Sequence, residues 1–358
     1  MKYHAALAHF PKITYARYKK LAAYFSDLKN IWDAEIIDLI PAGLEEHIAQ
    51  EFLTWREKNP IEKIAERLDK EKISTVSIVE PNYPQLLKEI TDPPHTLFFR
   101  GTLPPNTKPA LGVVGTRKIT TYGKLACQDI IAPTARQGIT IVSGLALGID
   151  GVAHQTTIDN KGITIAVLGS GINKSNIYPT THTRLSEQII TSGGAVMSEY
   201  PPGFSPTQYS FPARNRIIAG LSLGTLVIEA PETSGALITA RCALDYNREV
   251  FCIPHTIHSP TGVGPNNLIK MGARLVSTYQ DILENLHIQE ITTAIAKPTT
   301  PFTATETKIL QCLSTEPLHI DSIIKQTNLD SATVNSTLIL MEIKSQIRNM
   351  GGMNYIIR

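Results

Sequence analysis

The chain has 358 residues, 42% of them apolar, with 34 lysines and arginines against 32 aspartates and glutamates. That length fits two or three domains, and a formal net charge of +2 gives no general attraction for nucleic acid, so any such binding needs charge concentrated locally. No run approaches the roughly 18 uninterrupted apolar residues of a membrane span, and "MKYHAALAHFPKITYARYKK" lacks a signal-peptide pattern, so the expectation is a soluble, cytoplasmic protein with no membrane partner. Cys127, Cys242, Cys252 and Cys312 have no C-x-x-C spacing, which predicts buried free thiols and no metal site.

Residues 1–70 place apolar side chains at helical intervals (Leu21, Ala22 and Phe25; Ile48, Phe52 and Leu53) and predict a small helical domain. Residues 71–108 break into short extended pieces separated by prolines, the texture of a connector packed on a larger domain. From 109 to 286 the pattern alternates between strand and helix. The runs at 110–115, 139–144, 163–169, 195–199, 225–230, 249–254 and 273–277 have no polar alternation, so their strands are buried on both faces. With helix-length segments between them, they predict a doubly wound, mostly parallel α/β sheet of the Rossmann type. Residues 287–303, rich in Thr and Pro, read as a linker. Residues 304–358 predict three helices and a hairpin around Gly351-Gly352, a winged helix, with Asp330 and Ser331 as candidate caps of the third helix.

In open parallel sheets, ligands sit beyond the carboxyl ends of the strands. Gly115, Thr116 and Arg117 follow the first central strand, Ser143 and Gly144 end the second, and Ser234 and Gly235 follow the fifth at the start of a helix. Glycines allow close backbone approach and helix N-termini offer unpaired N–H groups, so these residues predict an anion site. The stretch "FPARNRIIAG" adds Phe211, Arg214, Asn215 and Arg216. Read as the first turn of a helix, it sets cations against the positive end of the dipole, which implies an anion there; the competing reading pairs the arginines with internal carboxylates such as Glu199 or Glu229.

The nature of the anion is narrowed by missing motifs. No G-x-G-x-x-G follows a strand, and "GSGINKS" has Asn173 where a P-loop needs glycine, so neither NAD nor ATP hydrolysis is expected. His154 stands beside no nucleophile and reads as structural. With no catalytic constellation, the expectation is a protein that is not an enzyme and needs no cofactor.

The ordered motifs "GTRKITTYG", "SGLALGIDGVAH", "IAVLGSGINKSNIYP", "SEYPPG", "FPARNRIIAGLS", "VIEAPETSGALITA" and "VFCIPH" resemble the DprA/Smf family of DNA-processing proteins over about residues 80–280. The resemblance implies a protein of natural transformation that binds and protects single-stranded DNA, helps load the recombinase RecA, and forms a homodimer. It also implies a DNA pocket made of Gly115, Thr116, Arg117, Ser143, Gly144, Phe211, Asn215, Arg216, Ser234 and Gly235, to which the residue reading adds Arg214. Thr116 stands where many members carry serine, and the hydroxyl is kept. The N-terminal helices resemble a sterile-alpha-motif-like (SAM-like) domain.

In the winged helix, Lys308, Lys325, Lys344, Arg348 and Arg358 balance Glu306, Glu316, Asp321, Asp330 and Glu342. A neutral wing favours protein contact over duplex DNA. Two alternatives come from other classes. "LGTLVIEA" faintly resembles the motif of Rossmann-type nucleotide phosphoribohydrolases, though β-branched Val227 and Ile228 make it a strand where that family opens a helix. The other is a regulator reading duplex DNA through the winged helix.

Overall fold

The stretch 71–108 does more than connect. It forms strands β1 (Ser74–Ser77) and β2 (Thr96–Gly101), which pair antiparallel and join the main sheet. The apolar runs that follow form β3 (Ala110–Val114), β4 (Thr140–Ser143), β5 (Thr164–Val167), β6 (Ala195–Ser198), β7 (Gly224–Val227), β8 (Glu249–Cys252) and β9 (Arg274–Leu275). The computed structural model describes residues 2–289, 303–314, 316–344 and 346–357, so residues 290–302 of the expected linker lie outside the described residues. The chain divides after residue 291 into two compact units, each treated separately below.

The nine-stranded sheet has the order β1-β2-β6-β5-β4-β3-β7-β8-β9. Pairing is parallel from β6 through β9, and β2 meets β6 antiparallel. Every residue of β3 to β7 is buried, as strands covered on both faces require. The chain runs outward from β3 in one direction through β6, then returns to start again at β7 on the other side of β3. That reversal opens a crevice beyond the carboxyl ends of β3 and β7.

One face of the sheet packs Leu111, Val113, Ile141 and Phe251 against Ile131 and Ile282. The core of the other face includes Val114, Val142 and Val167 and continues into the N-terminal helices through Leu97, Phe98, Leu21 and Phe52. The Tyr18 ring stacks on His95 at 4.6 Å, and His95 Nε2 bonds the Ile13 carbonyl at 3.1 Å. Burial holds the His95 imidazole down to about 4, so it is neutral at physiological pH.

His154 is structural. Its Nδ1 lies 2.7 Å from Thr164 Oγ1, whose own proton goes to the Ile141 carbonyl, so Nδ1 carries the hydrogen. Burial lowers its pKa to about 3. Of the cysteines, Cys127 and Cys252 are buried free thiols as expected, whereas Cys242 and Cys312 are only partly covered. Among the described residues no helix is long and apolar enough to cross a membrane.

The second unit holds the helices Ala304–Cys312, Ile320–Thr327 and Ser331–Ile343 and a small sheet of β10 (Leu318–His319), β12 (Asn354–Ile357) and β11 (Ile347–Gly351), in that order. Ile309, Ile323, Val334, Leu338 and Ile347 form its core. Asp330 is the cap of the third helix, accepting from the Thr333 amide at 3.0 Å, and Ser331 is that helix's first residue. This is a winged helix.

Candidate functional site

A cleft of about 590 Å³ lies in the crevice between β3 and β7, lined by Gly115, Thr116, Arg117, Phe211, Arg214, Asn215, Ser234 and Gly235 among others. Three segments build it. The first is the loop after β3. The Thr116 amide donates to the Glu229 carbonyl at 2.7 Å, and Thr116 Oγ1 accepts from the Lys118 amide at 3.2 Å, which folds the loop back and leaves Arg117 exposed.

Under that loop lies the fully buried carboxylate of Glu229. It accepts from the Thr120 amide at 3.0 Å, from Thr120 Oγ1 at 2.5 Å and from Thr261 Oγ1 at 2.9 Å. A β-carbon at Gly123 would lie 2.1 Å from Glu229 Oε2, so that position has no room for a side chain. Glu229, expected as a possible arginine partner, instead anchors the Arg117 loop in the fold. A carboxylate two residues past a largely apolar strand, in a chain whose first strand-end stretch carries Thr116, Thr120 and Thr121, was the available signal.

The second segment is the start of the Gly235–Asp245 helix, where Ser234 caps by accepting from the Ala236 amide at 3.3 Å. Gly235 is exposed and open space surrounds it, so the glycine here leaves the helix N-terminus uncovered. The third segment is the helix Ser210–Gly220, which presents Phe211 and Asn215 to the cleft; Asn215 Nδ2 donates to the Gly235 carbonyl at 3.1 Å and ties the two helices together.

Because that helix begins at Ser210, Arg214, Asn215 and Arg216 lie in its second turn. The first-turn reading, and the dipole argument drawn from it, is corrected. Arg214 is buried: its Nη1 donates to the Gly144 carbonyl at 2.6 Å and to the Val167 carbonyl, and its Nε lies 3.2 Å from Asn215 Oδ1. It therefore ties together the carboxyl ends of β4 and β5. Burial lowers the Arg214 pKa to about 10 while the charge of buried Asp150 opposes that shift, so the guanidinium keeps its proton.

Arg216 points elsewhere. It donates to Glu199 at 2.6 Å, lies 3.7 Å from Asp92, and borders a separate cavity of about 180 Å³ with Phe10, Tyr200 and Phe204. The internal-carboxylate reading holds for it, with Glu199 as the partner. Two more expected site residues are internal. Ser143 is fully buried and donates to the Val113 carbonyl at 2.6 Å, joining β4 to β3, and Gly144 is kept small by the Arg214 guanidinium.

The cleft thus gathers Gly115, Thr116, Arg117, Phe211, Asn215, Ser234 and Gly235, with the outer part of Arg214 in its floor. Arg214 and Asp150 offset each other, so the free positive charge among the lining residues is that of Arg117. Its guanidinium lies 5.5 Å from the centroid of the half-buried Phe211 ring. A cation, an aromatic ring and a helix N-terminus around an open cleft suit a phosphate and a base together. The phosphoribohydrolase motif places no helix here: Gly224–Val227 is strand β7, and Glu229 beyond it is sealed under the loop.

A doubly wound sheet with an open cleft at its topological switch point, and a separate winged helix, defines a two-module protein of the Rossmann-like class. Residues 74–287 match the family model described as DNA recombination-mediator protein A, and residues 293–353 match the DprA winged helix domain. The chain belongs to the DNA recombination-mediator protein A family, whose members process DNA in recombination.

Protein Smf of Escherichia coli strain K12 is 43% identical over 256 residues, covering 70% of this chain and 67% of that protein. The structure of DNA processing protein A from Streptococcus pneumoniae superposes with a TM-score of 0.67 at 35% identity, covering 79% of this chain and 97% of that one. That of DNA processing protein A from Helicobacter pylori, described for its unique single-stranded DNA binding mode, gives a TM-score of 0.53 at 29% identity over 60% of this chain and 96% of that one.

Proposed function

We propose that the protein binds single-stranded DNA in the cleft between β3 and β7, protects it, and hands it to RecA during natural transformation, with no chemical turnover. The observation that carries this reading is the Arg117 guanidinium over the Phe211 ring at an open helix N-terminus. The cation and the amides around Ser234 take phosphate, while the planar pair offers a surface to an unpaired base, which a duplex keeps inside its stack. The Helicobacter pylori relative, described as binding single strands, lends support.

We infer a homodimer as the working form. β9 leaves one edge of the sheet unpaired; its own Leu275 is 49% exposed and Met271, just before the strand, is 76% exposed. Open strand edges and exposed apolar side chains favour association. For the winged helix, exposed Ile339 and Leu340 on the third helix, together with its balanced charge, favour a protein partner over duplex DNA. The N-terminal helices fit a SAM-like domain that packs on the sheet.

The test is fluorescence anisotropy with single- and double-stranded oligonucleotides of equal length, in rising salt and without nucleotide. Single strands should bind tighter, with log affinity falling by about 0.7 per phosphate neutralised for each tenfold rise in salt. Equal affinity for the two forms would overturn the cleft reading.

A further inference from the structure

Phe211 is not the most accessible ring of its cluster. Arg117 lies over it, and its edge stands so close to Gly169 that a β-carbon there would sit 3.2 Å from Phe211 Cδ1. Its neighbour is Tyr178, with ring centroids 5.8 Å apart and planes at 48°. Rings so tilted do not stack face to face, and Tyr178 keeps half of its surface (50%) open to solvent.

The loop that presents Tyr178 is firmly tied. Ser170 Oγ donates to the Asn176 carbonyl at 2.9 Å, and Asn176 Nδ2 donates to the Phe204 carbonyl at 3.0 Å. Asn173 Oδ1 accepts from the Gly203 amide at 2.8 Å, and Ile177, directly before the tyrosine, is 2% exposed. A large ring held outward by a tied loop, with its sequence neighbour anchored in the core, loses little freedom when something stacks on it.

The geometry points to a second base-stacking subsite on Tyr178, which extends the single-strand path from the Ser234 helix and Arg117 past Phe211 to the loop after β5. This subsite rests on the single-strand reading of the cleft. Tyr178 is not part of the cleft wall, so it serves a base beside the one at Arg117 and Phe211. Its contribution comes from the face of the ring, so the ring and not the hydroxyl matters, and no phosphate is involved.

The test uses the full-length chain, labelled oligothymidine, and a fully abasic phosphodiester strand of the same length. Tyr178→Ala should weaken oligothymidine binding about five- to tenfold, leave the abasic strand unaffected and keep the salt slope, because base–aromatic stacking is what is lost. Tyr178→Phe should bind both strands like the parent. Arg117→Ala should weaken both strands and flatten the slope.

If Tyr178→Ala binds oligothymidine like the parent while Arg117→Ala is weakened, the subsite is overturned and the cleft reading stands. Equal weakening of both strands by Tyr178→Ala, or a melted variant, makes Tyr178 a support for its loop and also overturns the subsite. If Arg117→Ala binds both strands like the parent, the cleft reading itself fails.

Discussion

The guanidinium of Arg214 fills the space a side chain at position 144 would need: a β-carbon on Gly144 would lie 2.5 Å from Arg214 Nη1. The two residues form one structural device. Gly144 gives up its side chain so that a buried arginine can reach the carbonyls at the ends of β4 and β5. Gly144→Ala should therefore destabilise the protein by about 1–3 kcal/mol through overpacking. Arg214→Ala should cost about 1–3 kcal/mol, since it leaves the buried Gly144 and Val167 carbonyls without their donor. Urea denaturation of each variant checks both values, and parent-like stability of Arg214→Ala would return that residue to the list of ligand contacts.

Arg117 should behave in the opposite way. It is exposed, and its guanidinium lies over the Phe211 ring. Arg117→Ala is expected to leave the melting temperature within about a degree or two, as exposed substitutions do. It should weaken single-strand binding across all sequences and flatten the salt dependence by the share of one phosphate.

For Arg216 the expected loss is stability. Its ion pair with Glu199 is largely covered, with side-chain exposures of 16% and 17%. Removing one partner strands the other, which costs up to about 3–5 kcal/mol for a buried pair and less here because both groups retain some water. Arg216→Ala should melt earlier while single-strand affinity per folded molecule stays at the parent value. Anisotropy on material checked by circular dichroism separates the two effects.

Stability should fall on mild acidification. His95 and His154 have folded pKa values lowered to about 4 and about 3 by burial, against 6.5 in the unfolded chain. Between about pH 6.5 and 4 the unfolded state takes up protons that the folded state refuses, so the unfolding free energy drops as pH falls through that window and is insensitive to these groups above it. Urea midpoints at pH 7.5, 6 and 5 should decrease in that order. Replacing His154 with asparagine should flatten the trend, and an unchanged slope would mean that its burial is relieved in solution.

Ending the chain after residue 291 should leave single-strand affinity close to that of the parent. The cleft lies wholly within the first unit, and the winged helix brings balanced charge. A folded truncation with most of its affinity lost would place a DNA contact in the winged helix.

The sequence by itself determined the layered sheet, because strands covered on both faces must be continuously apolar, and that pattern is local. It also determined the strand-end loops, where glycines and a capping serine stand at the only places a parallel sheet offers a ligand, and the winged helix, whose third helix announces itself with Asp330. Tertiary structure decided which polar residues at those ends face the ligand. Arg117, Arg214 and Arg216 look alike in the sequence, yet one is exposed, one is spent on two strand-end carbonyls, and one is held by Glu199. The position where the helix starts, Ser210, sets these directions, since moving the start by one turn changes which residues stand at the dipole end. The partners Glu199, Asp150 and Gly144 are 17, 64 and 70 residues away along the chain, a range at which periodicity and spacing carry no information. The same holds for the extended pieces of 71–108: their extended character is local, but that β2 pairs with the edge of β6 and β1 with β2, making both part of the main sheet, is decided only in the fold.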